Sequence, residues 1–297
     1  TSSLLTLGLL FGALASSLMS KEFAVRKAPP LELAKGVVGG ILMGIGSAMA
    51  GGCNVGGFFS AMSAMSLSGV AMMVGLLIGA FLGLKYLYWE LENLPSGGGG
   101  AATGPQKESS GALKALAPYL GALVFLAVLI AAWVYNSYAY TVMGGLLLCG
   151  TAFGVIIQRT RFCFVRCFRE PFMTGEATQA RAVAGAVIIS LLGFAAIKWA
   201  GLRGEFVYVP QAFFVGGLVG GLIFGVGMVI AGGCGSGSVW RCGEGQNKLL
   251  LAVIFFVLSI SLFEKVIASS KTLQTVIGTG VYLPDWLSYK WSLLLLI

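Results

Sequence analysis

Two cysteines stand at matching places in a stretch that the chain contains twice. Cys53 closes Ala50-Gly51-Gly52-Cys53, and Cys234 closes Ala231-Gly232-Gly233-Cys234, 181 residues further on. Gly56 and Gly237 follow at the same distance from each. Between Gly39–Gly56 and Gly220–Gly237, nine of eighteen positions are identical, and most others exchange one apolar residue for another. One buried cysteine alone is commonly a small apolar filler. A pair repeated directly after Ala-Gly-Gly asks for another reason. Gly-Gly breaks an apolar helix and frees backbone N–H groups, and the start of the next short segment adds a positive dipole end. A thiol placed there can donate a weak hydrogen bond to the sulfur or oxygen of an anion.

A third cysteine lies in Arg161-Phe162-Cys163-Phe164-Val165-Arg166-Cys167-Phe168-Arg169-Glu170. Its spacing predicts that Cys163 and Cys167, at i and i+4, share a face of a basic amphipathic segment over Gln158–Gly175. Arg161 and Arg166 suit either an anion in transit or the phosphates of lipid. The matching place in the first half, Ser20–Arg26, keeps the Phe and Arg but has no cysteine. After the second Gly-Gly-Cys comes Trp240-Arg241-Cys242-Gly243-Glu244-Gly245, where Arg241 and Glu244 at i, i+3 are spaced to neutralise each other. Cys242 and Cys149 read as bystanders. Gly52, Gly56, Gly233, Gly237, Arg161, Arg166, Cys167, Arg241, Cys242 and Glu244 are thus supporting candidates around Cys53, Cys163 and Cys234.

The elements that position these residues are membrane helices. The chain of 297 residues is 57% hydrophobic and 10% charged, with a mean hydropathy of +0.91. Soluble domains carry about a quarter charged residues. The 45 glycines predict closely packed helices. Histidine is absent, which excludes Cys/His zinc sites and histidine-ligated haem. No Gly-x4-Gly-Lys-Ser/Thr loop occurs, so ATP is not hydrolysed by that route. Most of the six cysteines sit inside apolar segments, unlike a disulfide scaffold. A net charge of +8 suits cytoplasmic loops and an anionic substrate, and scattered as it is among spans it does not read as a nucleic-acid surface.

Apolar runs predict spans over Leu4–Leu18, Gly36–Ala50, Gly69–Leu91, Leu113–Tyr135, Tyr138–Ile157, Ala177–Trp199, Gln211–Ala231 and Asn247–Phe263, with Trp286–Ile297 beginning another. That makes about eight to nine. The first run reads as a helix rather than a signal core, because Gly8-x-x-Phe11-Gly12 recurs as Gly150-x-x-Phe153-Gly154. The missing initiator methionine suggests a trimmed start. Val55–Leu67 is too short to span and reads as re-entrant. Residues 1–92 form a first repeat carrying the Cys53 break, 93–112 a Gly- and Pro-rich linker, and 113–297 a second repeat carrying Cys163 and the Cys234 break. Relative to the first repeat, the second gains one helix, Ala177–Trp199.

The two Gly-Gly-Cys helices are the second and seventh spans, so the repeats are expected to be inverted, as in many secondary transporters. Most Lys and Arg fall in loops after odd-numbered spans, which places that side in the cytoplasm. Only Lys198, Arg203, Lys265 and Lys271 lie on the other. The expected fold is therefore an all-α polytopic membrane protein of two inverted repeats, with short re-entrant helices meeting at a central cysteine-lined path.

Ala-Gly-Gly-Cys-x-x-Gly in two copies, Arg-x-Phe-Cys-Phe-x-x-x-Phe-Arg-Glu and Trp-Arg-Cys-Gly-Glu-Gly together resemble the YeeE/YedE family of sulfur-transport membrane proteins. The resemblance covers both halves. It implies thiosulfate uptake across the inner membrane without ATP or cofactor, along a path of three cysteines that match Cys53, Cys163 and Cys234 here. It also implies a cytoplasmic sulfur-carrier or rhodanese-like protein as a partner. Two departures stand out. The Cys53 half comes first, which resembles a swap of halves, and Cys167 and Cys242 are extra, which leaves selenium or other reduced-sulfur species open. A relay by hydrogen bonding requires neutral thiols, since thiolates repel a dianion. Two further readings belong to other classes: a membrane sulfurtransferase carrying a persulfide on Cys163 or Cys234, and a metal site of Cys163, Cys167 and Cys242.

Overall fold

A computed structural model describes residues 2–93, 111–138, 140–201, 214–278, 282–286 and 289–296. The linker expected at 93–112 falls almost wholly outside the described residues. Along the chain run α1 (Ser2–Met19), α2 (Pro30–Ala50), a π-helical turn (Asn54–Ser60), α3 (Ala61–Ser63), α4 (Leu67–Asn93), α5 (Gly111–Ser137), α6 (Thr141–Thr160), α7 (Phe164–Met173), α8 (Thr178–Trp199), α9 (Phe214–Ala231), α10 (Gly235–Gly243), α11 (Asn247–Ser269), α12 (Lys271–Ile277), α13 (Leu283–Trp286) and α14 (Tyr289–Leu296).

Among the described residues seven stretches are long and apolar enough to cross a membrane. They are α2, α4, α5, α6 with α7, α8, α9 with α10, and α11. This is a multi-pass all-α membrane protein. The count is lower than eight to nine because α1 is apolar but shorter, and the last described segment is divided between α13 and α14. The re-entrant reading of Val55–Leu67 corresponds to the π-helical turn and α3, each less than two turns of α-helix in length.

The chain forms two compact units. One comprises Thr1–Ala34, Gly97–Cys163 and Ser236–Val253, and the other Lys35–Ser96, Phe164–Gly235 and Ile254–Ile297. Each draws on both halves of the sequence.

In the first unit α1 packs against α5 and α6. Its crossing with α6 is glycine-lined: a Cβ on Gly12 would run into the Thr151 carbonyl, and one on Gly154 into that of Leu9. Contact this close is how apolar helices associate in lipid, where no hydrophobic force distinguishes helix from tail. Leu9, Ala13 and Trp240 form a buried cluster beside it.

The second unit repeats the plan with α2 and α9. A Cβ on Gly46 would stand 2.5 Å from the Gly220 carbonyl oxygen, and one on Gly220 2.6 Å from that of Gly46. α4 packs along another side of α9. The helix gained in the second half, α8, steadies a break in the first: Lys198 Nζ donates to the Ala64 carbonyl at 2.8 Å and lies 4.5 Å from the Tyr282 ring centre. Ala64 ends α3, so a cation meets the freed carbonyls of a helix C-terminus.

Candidate functional site

α2 ends because Gly51 takes a left-handed conformation, φ 72°, and Gly52 N–H bonds back to the Ser47 carbonyl at 2.9 Å. This is a Schellman closure. Cys53 follows in extended backbone, φ −82° and ψ −172°, and the π-helical turn begins at Asn54. α9 also ends on a left-handed glycine, with the single bond of an αL motif. Gly232 has φ 80° with its N–H on the Met228 carbonyl at 3.0 Å, then Cys234 precedes α10.

The third cysteine obeys the same geometry without a glycine. α6 ends at Thr160, Arg161 is left-handed at φ 54°, and Arg161 and Phe162 N–H groups bond to the Gln158 and Ile157 carbonyls. Cys163 is then non-helical, and α7 starts at Phe164. The expected shared helix face of Cys163 and Cys167 is therefore corrected: Cys163 precedes the helix that carries Cys167. Each of the three cysteines thus stands two residues after a left-handed residue and directly before a short helix. A fourth turn of this kind ends α1, where Lys21 has φ 59° and Glu22 N–H bonds to the Ser17 carbonyl. There the cysteine's place is taken by Phe23.

In the second unit the two Gly-Gly-Cys breaks come together. A Cβ built on Gly235, the residue after Cys234, would stand 3.9 Å from Cys53 Cβ. Cys53 is part-exposed and Cys234 is wholly buried. Phe58, in the turn after Cys53, meets Phe164 and Phe168 of α7 edge-on, with ring centres 6.3 and 5.6 Å apart. Phe164 is the residue bonded to Cys163. Cys167, on α7, is buried, and Arg166 there pairs with Glu170. Gly52 and Gly56 differ in their surroundings: a Cβ on Gly52 would stand 2.7 Å from Gly57 N, whereas one on Gly56 meets nothing within 4 Å.

In the first unit a polar cluster surrounds the end of α6. Gln158, fully buried, accepts from Ser16 Oγ at 2.7 Å and donates to Glu22 at 3.0 Å and to Glu244 at 3.2 Å. Arg161 lies 2.9 Å from Glu22 and 3.7 Å from Glu244, which is 2% exposed. Trp240 Nε1 donates to the Phe162 carbonyl at 3.2 Å, which satisfies backbone freed by the break. Arg241 lies over the Trp240 ring, 5.2 Å from its centre. Sequence reasoning missed Gln158 and Arg161 as the partners of Glu244. Cys163 is buried, Cys242 part-exposed, and Cys149 exposed on α6. Among the described residues no three of His, Cys, Asp or Glu gather in a way that would hold a metal ion.

A sequence profile described as sulphur transport matches residues 1–82 and 159–297, nearly three-quarters of the chain. The chain belongs to this sulphur-transport family. The probable transporter YedE of Escherichia coli (strain K12) is 28% identical over 253 residues, which is 82% of this chain and 60% of YedE. The thiosulfate transporter TsuA of the same organism is 34% identical over 131 residues, 43% of this chain and 36% of TsuA. TsuA of Spirochaeta thermophila is 34% identical over 111 residues, 37% of this chain and 33% of its own length. The chain thus spans about three-fifths of the YedE length that it matches, and less of TsuA. These relatives are named as transporters.

Proposed function

We propose that this chain passes a small sulfur-containing anion, thiosulfate before others, across the cytoplasmic membrane by way of Cys53, Cys234 and Cys163. The observation that carries the reading is the approach of the two Gly-Gly-Cys breaks, where a Cβ built on Gly235 would stand 3.9 Å from Cys53 Cβ. Broken backbone at membrane depth is tolerated where protein buries it or where it lines a polar cavity. Two repeated breaks that face each other supply such a place. The relatives named for thiosulfate add the substrate. The recurrence of one backbone turn at all three cysteines supports their common role, and the presence of both sequence halves in each compact unit is in keeping with inverted repeats.

The chemistry is hydrogen bonding, and no covalent bond forms or breaks. Neutral thiols and backbone N–H groups donate to the anion in turn. Arg161 and Arg166 are engaged by Glu22, Glu244 and Glu170, so neither offers an unmatched charge that would trap a dianion. Weak successive contacts favour release as well as capture. The supporting roles of Gly52, Gly56, Gly233, Gly237, Cys167, Arg241 and Cys242, and delivery to a cytoplasmic sulfur-carrier or rhodanese-like protein, belong to the same proposal.

The experiment is uptake by proteoliposomes offered thiosulfate, sulfate, sulfite or selenite. Thiosulfate is expected to enter fastest, with sulfate excluded. Equal entry of thiosulfate and sulfate would overturn recognition of the terminal sulfur, and preference for selenite would reassign the substrate.

A further inference from the structure

The repeated motifs differ at the residue after the cysteine. The first copy has Asn54 and the second has Gly235. Asn54 is 1% exposed. Its Nδ2 lies 3.5 Å from the thioether Sδ of Met228, a weak acceptor, and its Oδ1 meets no hydrogen-bond donor among the described residues. Buried polar groups are nearly always hydrogen-bonded, and one left unmatched calls for an explanation. Packing does not provide it, because an apolar side chain of the same branched shape, such as leucine, would leave no polar atom stranded.

Its position does provide one. Asn54 is bonded to Cys53, and Met228 precedes Cys234 on α9, so the amide spans from one break to the helix that leads to the other. Across from Cys53 the second copy has only a glycine, and a Cβ there would meet nothing closer than 3.8 Å. One copy therefore has a polar side chain directly after its cysteine and the other has none. The two ends of an amide have almost the same shape, so a half-turn about its terminal torsion puts NH2 where Oδ1 now lies with nothing else displaced.

We propose that Asn54 is a specificity-determining contact for the anion, a neutral donor that turns its NH2 to a sulfonate-type oxygen as the anion passes Cys53. This rests on the transport reading above. A neutral amide suits passage, since it orients a dianion without holding it as a buried cation would. In the resting protein the NH2 lies on the weak thioether acceptor of Met228, and the anion offers it a stronger one.

The test uses the full-length protein in proteoliposomes, with thiosulfate as probe and three variants. Asn54→Leu keeps the branched shape and removes the hydrogen bonds. It is expected to melt at or above the wild-type temperature while thiosulfate uptake falls by about tenfold or more. Asn54→Asp places a negative charge beside the anion and is expected to lower uptake further. Asn54→Ser guards against misfolding of the larger variants, and the rise in melting temperature that thiosulfate gives the wild type is expected to be lost in it. Wild-type uptake by Asn54→Leu, or an undiminished thermal shift in Asn54→Ser, would overturn the role of Asn54 and leave the transport reading intact. A wild type that takes up no thiosulfate would overturn both.

Discussion

Gly52 and Gly56 flank Cys53 in the same motif, and the structure separates them. A Cβ at Gly52 would lie 2.7 Å from Gly57 N, 3.1 Å from Gly56 C and 3.2 Å from Gly57 Cα. All three are backbone atoms, so no flexible side chain can swing aside. Gly52→Ala must open the turn that holds Cys53 against the start of the π-helix, at an overpacking cost of about 1–3 kcal/mol. For a chain of this size that corresponds to a fall in melting temperature of about 2–12 °C. Gly56→Ala meets open space and is expected to change stability by no more than about 0.5 kcal/mol. Thermal unfolding of both variants in one detergent measures the difference, and thiosulfate uptake should fall with Gly52→Ala alone. Equal melting temperatures for the two variants would refute the argument, since it would mean that the turn adjusts without cost.

Gly46→Ala and Gly220→Ala address opposite sides of one crossing, so each is expected to cost about 1–3 kcal/mol and the double variant less than the sum. A strictly additive double variant in thermal unfolding would show that the two sites are independent. Gln158→Leu strips hydrogen bonds from Ser16, Glu22 and the buried Glu244 at once. A loss of at least about 1–3 kcal/mol is expected, and a variant as stable as wild type would show that the cluster is not a structural support.

The Gly-Gly-Cys breaks were legible in the sequence because glycine is the residue that takes a left-handed backbone most readily, and it left a visible mark at Gly51 and Gly232. The turns at Lys21 and Arg161 left none. They adopt the same backbone with non-glycine residues, at a cost of roughly 1–2 kcal/mol each, so the sequence around Cys163 read as one continuous amphipathic segment. The recurrence of Phe and Arg near Ser20–Arg26 hinted at the equivalence but could not show its backbone. Long-range partners were hidden for a different reason. Helical spacing suggested Arg241 for Glu244, whereas Gln158 and Arg161 reach it from α6 and the turn that ends it. Asn54 was an unremarked residue between Cys53 and Gly56, because nothing in a sequence tells that a buried amide lacks a partner. Helix α8 was expected as an addition to the second half, but its hold on Ala64 through Lys198 depends on packing alone.

Thiosulfate uptake by proteoliposomes carrying single cysteine substitutions tests the central claim most directly. Cys53→Ala, Cys163→Ala and Cys234→Ala are each expected to insert and purify as wild type while uptake falls by about tenfold or more. Cys149→Ala, exposed on α6, is expected to stay near wild-type rate. Wild-type uptake by Cys53→Ala would contradict the account, because the paired breaks would then carry no anion.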